Sequence, residues 1–489
     1  MLQNEVYERA RLARDSRFDG QFYVGVKTTG IYCRPICPAN SPKSQNIAFY
    51  PSAAAASEAG FRPCLRCRPE SAPGTPAWSG TSTTVRRGLR LISRGALDEG
   101  NIEKLAERLG VTSRHLRRLF SQHLGASPLA VAHTQRLHFA KQLISETSLP
   151  MSHISTAAGY GSVRRFNDTF RKTYGKTPRD LRCSGDSVDP IGRNATLSVR
   201  LAYRTPFNWQ AMLDFFTHRA TPGVEQVDGL VYRRTMSFDG RHGIVEVQPD
   251  ARAGYLSLTL SGISTGALFD TVQRAREVFD LDAPAAEIGA ALGKDSALRK
   301  ILKKQPGVRV PGAWNGFELT VRAILGQQIS VKGATTIAGR IAARYGERLE
   351  IEHADAPEAL HRLFPTPDRL ARARFNDIGL ISSRAQTIRT LARAVKDGDV
   401  DFEAIQDPDA FCENLQSIRG IGDWTAQYVA MRALKNPDAF PASDLALLKV
   451  LAFPARMTPK ELEARAEKWR PWRAYAAMAL WSSLSSSGG

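Results

Sequence analysis

LQSIRGIGDWTAQYVAMRAL (residues 415–434) and PDAFPASDLALLKVL (residues 437–451) decide how the C-terminal part of this chain is read. In the first, Gly420-Ile421-Gly422 separates two stretches of helical periodicity. Glycine accepts the dihedral angles of a tight hairpin, and free N–H groups at the following helix start can hold a DNA phosphate without reading sequence. In a basic protein this predicts a helix-hairpin-helix. In the second stretch, Asp444 follows a proline-containing loop and precedes an apolar helix. The position suits an N-cap. An N-cap role and a catalytic role are compatible.

Working outward, residues 197–261 are strand-rich, with LSVRLAYR, GIVEVQPD and GYLSLTLSG alternating or running in β-branched and apolar residues. A helical stretch over 208–219 interrupts them. From about residue 284 onward helical periodicity dominates, as in LTVRAILGQQIS and SRAQTIRTLARAV.

Upstream, a pattern occurs twice about 49 residues apart. Ile102, Leu105, Ala106 and Leu109 recur at helical spacing, Gly110-Val111-Thr112 turns, and Ser113 is the expected N-cap. The next helix carries Arg114, Arg117 and Arg118 opposite Leu116, Leu119 and Phe120. Then Ile154, Ala157 and Ala158 lead to Gly159-Tyr160-Gly161, and Ser162 caps a helix with Arg164, Arg165, Phe166, Phe170 and Tyr174. Each unit reads as a supporting helix followed by a recognition helix for the major groove. A plain bundle with basic faces is the blander alternative.

Nearest the N-terminus, Cys33-x3-Cys37 and Cys64-x2-Cys67 stand 26 residues apart. Two close pairs across a short module build a tetrahedral thiolate zinc site, each pair supplying one edge. Cys183 and Cys412 stand alone and are read as bystanders.

Composition agrees with a polyanionic partner. The 489 residues carry 67 Lys+Arg against 48 Asp+Glu, a formal charge of +19. Residues 81–185 hold 18 basic and 7 acidic side chains, net +11, so over half of the excess lies in about a fifth of the chain. That concentration favours nucleic-acid contact. Six cysteines do not make a disulfide scaffold. No apolar run reaches membrane-spanning length, and no signal peptide is visible, so a reduced, cytoplasmic setting without membrane contact is expected.

Three resemblances sharpen this. GVKTTGIYCRPICPA (residues 25–39) and GFRPCLRCRPE (residues 60–70) resemble the N-terminal zinc domain of the Ada adaptive-response proteins. The resemblance implies that Cys33 takes a methyl group, once, from a DNA methylphosphotriester, with Cys37, Cys64 and Cys67 as co-ligands of one Zn2+. AAGYGSVRRFNDTFRKTYGKTPRDLR (residues 157–182) resembles the C-terminal part of AraC-type regulators, implying promoter sites and RNA polymerase as partners. FNWQAMLDFF, FELTVRAILGQQIS, the hairpin and EKWRPWRAYAAMALW resemble the helix-hairpin-helix glycosylases, most closely the AlkA-type 3-methyladenine DNA glycosylase II.

By position, that last resemblance implies Asp444 as catalytic aspartate, Trp424, Tyr428 and Trp481 as the base pocket, and Gly420 and Gly422 as DNA contacts, with a monovalent cation at the hairpin. Trp424 occupies the place where lyase-type relatives carry a nucleophilic lysine, which implies a monofunctional enzyme. Gln328 stands where the family can carry an apolar wedge, and Asp423 puts an acid beside a phosphate site.

The expected fold class is multidomain α+β. It comprises a zinc domain (1–75), an all-α double helix-turn-helix (85–183), a β-rich subdomain (195–310), an all-α glycosylase domain (311–484) and a disordered tail (485–489). The expected function is an alkylated-base glycosylase, a DNA-3-methyladenine glycosylase II type hydrolase, fused to a bacterial methylation sensor and regulator. The alternatives are a regulator with an inactive glycosylase-like domain, or a glycosylase whose N-terminal half only tethers it to DNA.

Overall fold

The computed structural model describes residues 2–15, 18–72, 83–93, 95–97, 101–182, 196–238, 240–262, 265–350, 357–402, 408–452 and 457–485. The stretches between the first three expected domains, 71–84 and 183–195, rich in Pro, Gly, Ser and Thr, lie largely outside these residues. So does most of the tail, although Ser485 still belongs to the last helix, Arg473–Ser485. By compactness the chain forms two units. One comprises Met1–Thr205, Asp250–Gln273 and Leu281–Ala283; the other comprises Pro206–Pro249, Arg274–Asp280 and Pro284–Gly489.

In the first unit, strands Ile47–Tyr50, Tyr23–Val26, Ile31–Cys33 and Arg62–Pro63 lie side by side in that order. The pair Ile31–Cys33 and Arg62–Pro63 is parallel, with Tyr32 opposite Pro63. That register carries the two cysteine pairs out of the sheet side by side. Helix Leu2–Leu12 packs here through Tyr7, whose ring stacks on Phe22 at 4.2 Å.

The helical part repeats itself closely. Helices Ser113–Leu124 and Val163–Tyr174 each have 12 residues. Each buries positions i, i+4 and i+8, namely Leu116, Phe120 and Leu124 in one and Phe166, Phe170 and Tyr174 in the other. Each ends in a left-handed glycine, Gly125 or Gly175, with φ +66°. The second N-cap is Ser162, as expected. The first is Thr112 rather than Ser113, because the Thr112 hydroxyl accepts the His115 N–H and leaves Ser113 as the first helical residue.

Between them runs the long helix Pro128–Glu146. It buries Leu137, Ala140, Leu143 and Ile144, and it also meets the sheet and strand Leu197–Ala202. His138 hydrogen-bonds the Tyr32 hydroxyl at 2.8 Å. Gln142 donates to the Arg200 carbonyl at 2.6 Å, and Glu146 accepts the Arg200 N–H at 3.0 Å. The helix thus satisfies both peptide groups on the free side of a strand that otherwise pairs with Tyr255–Ser261.

The second unit contains the antiparallel strands Glu225–Asp228, Val231–Phe238 and Arg241–Pro249, paired in sequence order. It also contains the helices from Pro284 onward and helix Trp209–Thr217, which Asn208 caps. Helical structure begins earlier than expected, at Leu268. Helix Gly316–Leu325 is buried on nearly all sides. It carries Glu318 and Arg322 into a buried charge cluster with Glu225 and Arg234. Among the described residues, no helix is long and apolar enough to cross a membrane.

Candidate active site and metal centre

The hairpin joins helix Pro408–Gln416 to helix Asp423–Arg432. Gly420 adopts φ +97°, and a Cβ there would lie 2.2 Å from Thr387 Oγ1. Its glycine is a steric requirement. Gly422 differs: its φ is −100° and a Cβ there would meet nothing within 4 Å. No side chain caps the helix that Gly422 begins, so its first N–H groups face outward without a side-chain acceptor. The Gln327 amide braces the hairpin, donating to the Gly420 carbonyl at 3.0 Å and to Thr425 Oγ1 at 3.1 Å.

Gln328, the residue at the wedge position, is exposed and adopts φ +58°. A non-glycine residue in that region is a local strain, held here by the fixed carbonyl of Gln327, which accepts from Arg384. Asp423 is the first residue of its helix, and its carboxyl is pushed up by burial and by the neighbouring charge of Glu463.

The residues expected around Asp444 do come together. Asp444 immediately precedes helix Leu445–Ala452. Its Oδ1 accepts the N–H groups of Ala446 at 2.9 Å and Leu447 at 3.0 Å, as an N-cap does. Oδ1 also accepts the Trp481 indole N–H at 3.0 Å, and Oδ2 accepts the Trp424 indole N–H at 2.8 Å. Four donors therefore fix the carboxylate between two aromatic rings. Trp424 stacks on Tyr428 at 5.2 Å with planes 8° apart, and Trp481 stands at 64° to Tyr428, 6.2 Å away.

Sequence reasoning missed what lies behind these rings. Arg432 is buried, donates to Tyr428 Oη at 2.5 Å and holds the Pro311 and Gly312 carbonyls. Its guanidinium and that of Arg219 both lie over the Phe215 ring, at 4.8 and 4.0 Å. Burial pushes the Tyr428 hydroxyl up, but Arg432, Arg219 and Arg322 outweigh it and hold its pKa below the ordinary phenol value. The available signal was spacing: Trp424, Tyr428 and Arg432 are i, i+4 and i+8 on one helix face.

In the first unit, Cys33, Cys37, Cys64 and Cys67 place their sulfurs within 4.8 Å of one another. Zn–S bonds of about 2.3 Å in a tetrahedron separate the sulfurs by about 3.8 Å, so the donor set and its spacing fit zinc. Cys64 and Cys67 are buried, whereas Cys33 and Cys37 are half-exposed. Cys67 accepts the Arg34 N–H at 3.4 Å. Arg34, also missed from sequence, lies buried behind the centre. It pairs with Asp19 through Nε at 2.8 Å and donates to the Cys67 carbonyl at 3.1 Å. Arg114, Arg117, Arg118, Arg164 and Arg165 all lie exposed on the two 12-residue helices.

These features define a class: a thiolate metal module and paired helix-turn-helix units in one chain with a helix-hairpin-helix domain built around an aspartate. Comparison with known proteins agrees. The chain matches the metal binding domain of Ada over residues 7–70 and a helix-turn-helix domain over 105–184. It matches the AlkA N-terminal domain over 198–315 and the HhH-GPD superfamily of base excision DNA repair proteins over 321–473.

It is 40% identical over 481 residues to the "Probable bifunctional transcriptional activator/DNA repair enzyme AlkA" of Mycobacterium tuberculosis, covering 97% of this chain and 95% of that one. It is 35% identical to Escherichia coli DNA-3-methyladenine glycosylase 2 over 284 residues, 58% of this chain and 95% of that one. A 3-methyladenine DNA glycosylase from Archaeoglobus fulgidus shares the fold, with TM-score 0.50, 22% identity, and coverage of 57% of this chain and 96% of that one. The chain belongs to the family of bifunctional transcriptional activator/DNA repair enzymes of the AlkA type.

Proposed function

We propose that this protein excises alkylated bases such as 3-methyladenine and 7-methylguanine from duplex DNA, and that it senses DNA methylation through Cys33 and regulates transcription in response. The observation that carries the first part is the Asp444 carboxylate, held by four N–H donors inside an aromatic site. Oδ1 accepts three of the four donors and Oδ2 only one. Oδ2 therefore retains the lone-pair capacity to face the sugar.

The target nucleotide must leave the stack to be reached, and Gln328 stands where the gap would be filled. Departure of the base leaves a cationic, oxocarbenium-like sugar, which the carboxylate stabilises while orienting the attacking water. A 3- or 7-alkylated purine is itself cationic and is drawn to the faces of Trp424 and Trp481. Gly422 leaves room for a DNA phosphate at the uncapped helix start, and a monovalent cation between phosphate and hairpin would offset Asp423.

For the sensor, Cys33, Cys37, Cys64 and Cys67 would hold one zinc ion, which would keep the four thiolates deprotonated at a net charge of −2. Cys33 is half-exposed, whereas Cys67 is buried and accepts the Arg34 N–H. Its thiolate attacks the methyl carbon of a phosphotriester. An S–C bond forms, the C–O bond breaks, and the phosphodiester leaves with the electron pair. The centre passes from −2 to −1, which weakens its repulsion from DNA. The exposed arginines of the two helices would then hold promoter DNA, with RNA polymerase as the onward partner.

The deciding experiment measures base release from duplexes carrying 7-methylguanine and 3-methyladenine, with wild type and Asp444→Asn. Release by wild type alone, with strand breaks only after alkali, supports the reading; release by neither, from folded and zinc-loaded protein, supports a pure regulator. Methylation-dependent promoter binding that disappears in Cys33→Ala supports the sensor, and methyl acceptance by Cys33→Ala would refute it.

A further inference from the structure

Two glutamines stand side by side in the loop between helices Gly316–Leu325 and Val331–Tyr345, in different surroundings. Gln328 is exposed. Gln327 is engaged inside the molecule, where its Nε2 donates to the Gly420 carbonyl at 3.0 Å and to Thr425 Oγ1 at 3.1 Å. Both hydrogens of the amide are thereby committed. Gly420 is the tight point of the hairpin, and Thr425 is the third residue of the helix that follows it.

The hairpin has a second fastening that does not involve this glutamine. Thr387 packs directly against Gly420, and its hydroxyl donates to the Arg419 carbonyl at 3.0 Å. What Gln327 adds is a fixed direction for the residue after it. Arg384 holds the Gln327 carbonyl. A single point of attachment lets a peptide turn about it; the side-chain amide supplies two more points and removes that freedom.

On the far side of the loop, Ser330 caps the next helix by accepting the Gly333 N–H at 3.1 Å. Between these fastenings Gln328 keeps φ +58°. A left-handed φ is unfavourable for an L-residue and persists only where its surroundings over-determine it. With the amide bonds gone, Gln328 would relax to an ordinary backbone conformation and carry its side chain elsewhere.

We propose that Gln327 is a positioning residue for base flipping: its amide ties the residue that enters the stack to the hairpin that grips the phosphate, so that one aims the other. This rests on the readings of Gln328 as the residue that fills the gap and of the Gly422 helix start as the phosphate site. Gln327 acts only through Gln328. A misplaced Gln328 still lets the duplex bind but supports the opened stack less well, so the loss falls on flipping rather than on affinity.

The test uses the full chain and a duplex with 2-aminopurine beside a 7-methylguanine, whose fluorescence rises when the neighbouring stack opens. Affinity is read by anisotropy of an end-labelled copy of the duplex, and base release in single turnover at saturating protein. Gln327→Met keeps the length and loses both donors. It should leave affinity within about twofold and lower the fluorescence rise and the release rate about tenfold. Gln327→Leu, a second way of removing the donors, should do the same. In a Gln328→Gly background, which removes the side chain being aimed, Gln327→Met should change flipping no further.

Wild-type flipping and release in both Gln327 variants would overturn the inference. Equal losses of affinity and release would also overturn it, since Gln327 would then only brace the hairpin, and so would additive losses in the double variant. Wild-type flipping in Gln328→Gly, or none in the wild type itself, would instead overturn the readings beneath it.

Discussion

Gly420 and Gly422 are two residues apart in one hairpin, and alanine should act on them in opposite ways. At Gly420 a methyl group would require φ near +97° and would sit 2.2 Å from Thr387 Oγ1 and 3.2 Å from Thr387 Cβ. The left-handed backbone costs an L-residue about 1–2 kcal/mol. Moving Thr387 aside loses its hydroxyl bond to the Arg419 carbonyl, now 3.0 Å, worth about 1 kcal/mol. Gly420→Ala should therefore destabilise the second unit by about 2–3 kcal/mol. In a Thr387→Ala background only the backbone part, about 1–2 kcal/mol, should remain.

At Gly422 the backbone is unstrained and the methyl meets nothing. Gly422→Ala should change stability by less than about 0.5 kcal/mol. It should nevertheless weaken binding to lesion-containing duplex, because the methyl would occupy the space proposed for the phosphate. Denaturant unfolding followed by tryptophan fluorescence reads the right unit: of seven tryptophans, all but Trp78 lie within it. Unchanged stability in Gly420→Ala would refute the steric argument. Wild-type DNA affinity in Gly422→Ala would refute the phosphate site.

Three further outcomes are expected. Borohydride treatment during turnover should trap no covalent protein–DNA adduct, since Trp424 stands in the place of the lyase lysine; a trapped band on a denaturing gel would contradict this. Burial pushes the His138 imidazole down to about 4 from the ordinary 6.5, so it is neutral in the fold near neutral pH. Below pH 6.5 the unfolded chain binds the proton first, so this contribution to first-unit stability is intact above 6.5 and declines as pH falls toward 4. The slope is at most about 1.4 kcal/mol per pH unit, and comparing wild type with His138→Gln between pH 7 and 5 should show a flatter profile in the variant. Chelation under reducing conditions should abolish methyl acceptance and raise amide exchange in strands Ile31–Cys33 and Arg62–Pro63, while base release persists; loss of base release as well would mean that the second unit depends on the metal.

What the sequence makes legible here is what local chemistry dictates. The cysteine spacing, the Gly-x-Gly hairpin and the turn-and-cap rhythm of the repeated helices each need only a few neighbouring residues. Thr112 shows the limit of that reading: Thr112 and Ser113 are both good caps, and which one takes the His115 N–H depends on the path of the turn. Arg34, Phe215, Arg219 and Arg432 were not legible for another reason. Buried arginine is unexpected from composition, and Arg34 and Arg432 are held by partners distant in sequence, Arg34 by Asp19 and Arg432 by Pro311 and Gly312. Helix Pro128–Glu146 likewise looks from sequence like a connector between two repeats. Only the structure shows it covering strand Leu197–Ala202.

Asp444 shows why a structural role and a chemical one need not compete. A carboxylate that caps a helix is oriented by backbone N–H groups, which cannot rotate away as side-chain donors can. Ala446 and Leu447 fix Oδ1, and the two indoles fix the carboxylate plane. The rings proposed to hold the base are thereby tied to the group proposed to face the sugar. On the proposed reading, a base seated against Trp481 would have its glycosidic bond placed relative to Asp444 by the same hydrogen bonds that hold the cap. In Asp444→Asn the amide oxygen can still accept on the Oδ1 side, but the NH2 group would face the Trp424 indole N–H as donor against donor, so the variant is expected to lose geometry as well as charge. Asp444→Glu keeps the charge while displacing it by one methylene. If the rings and the carboxylate act as one rigid assembly, that displacement should cost nearly as much base release as the loss of charge itself.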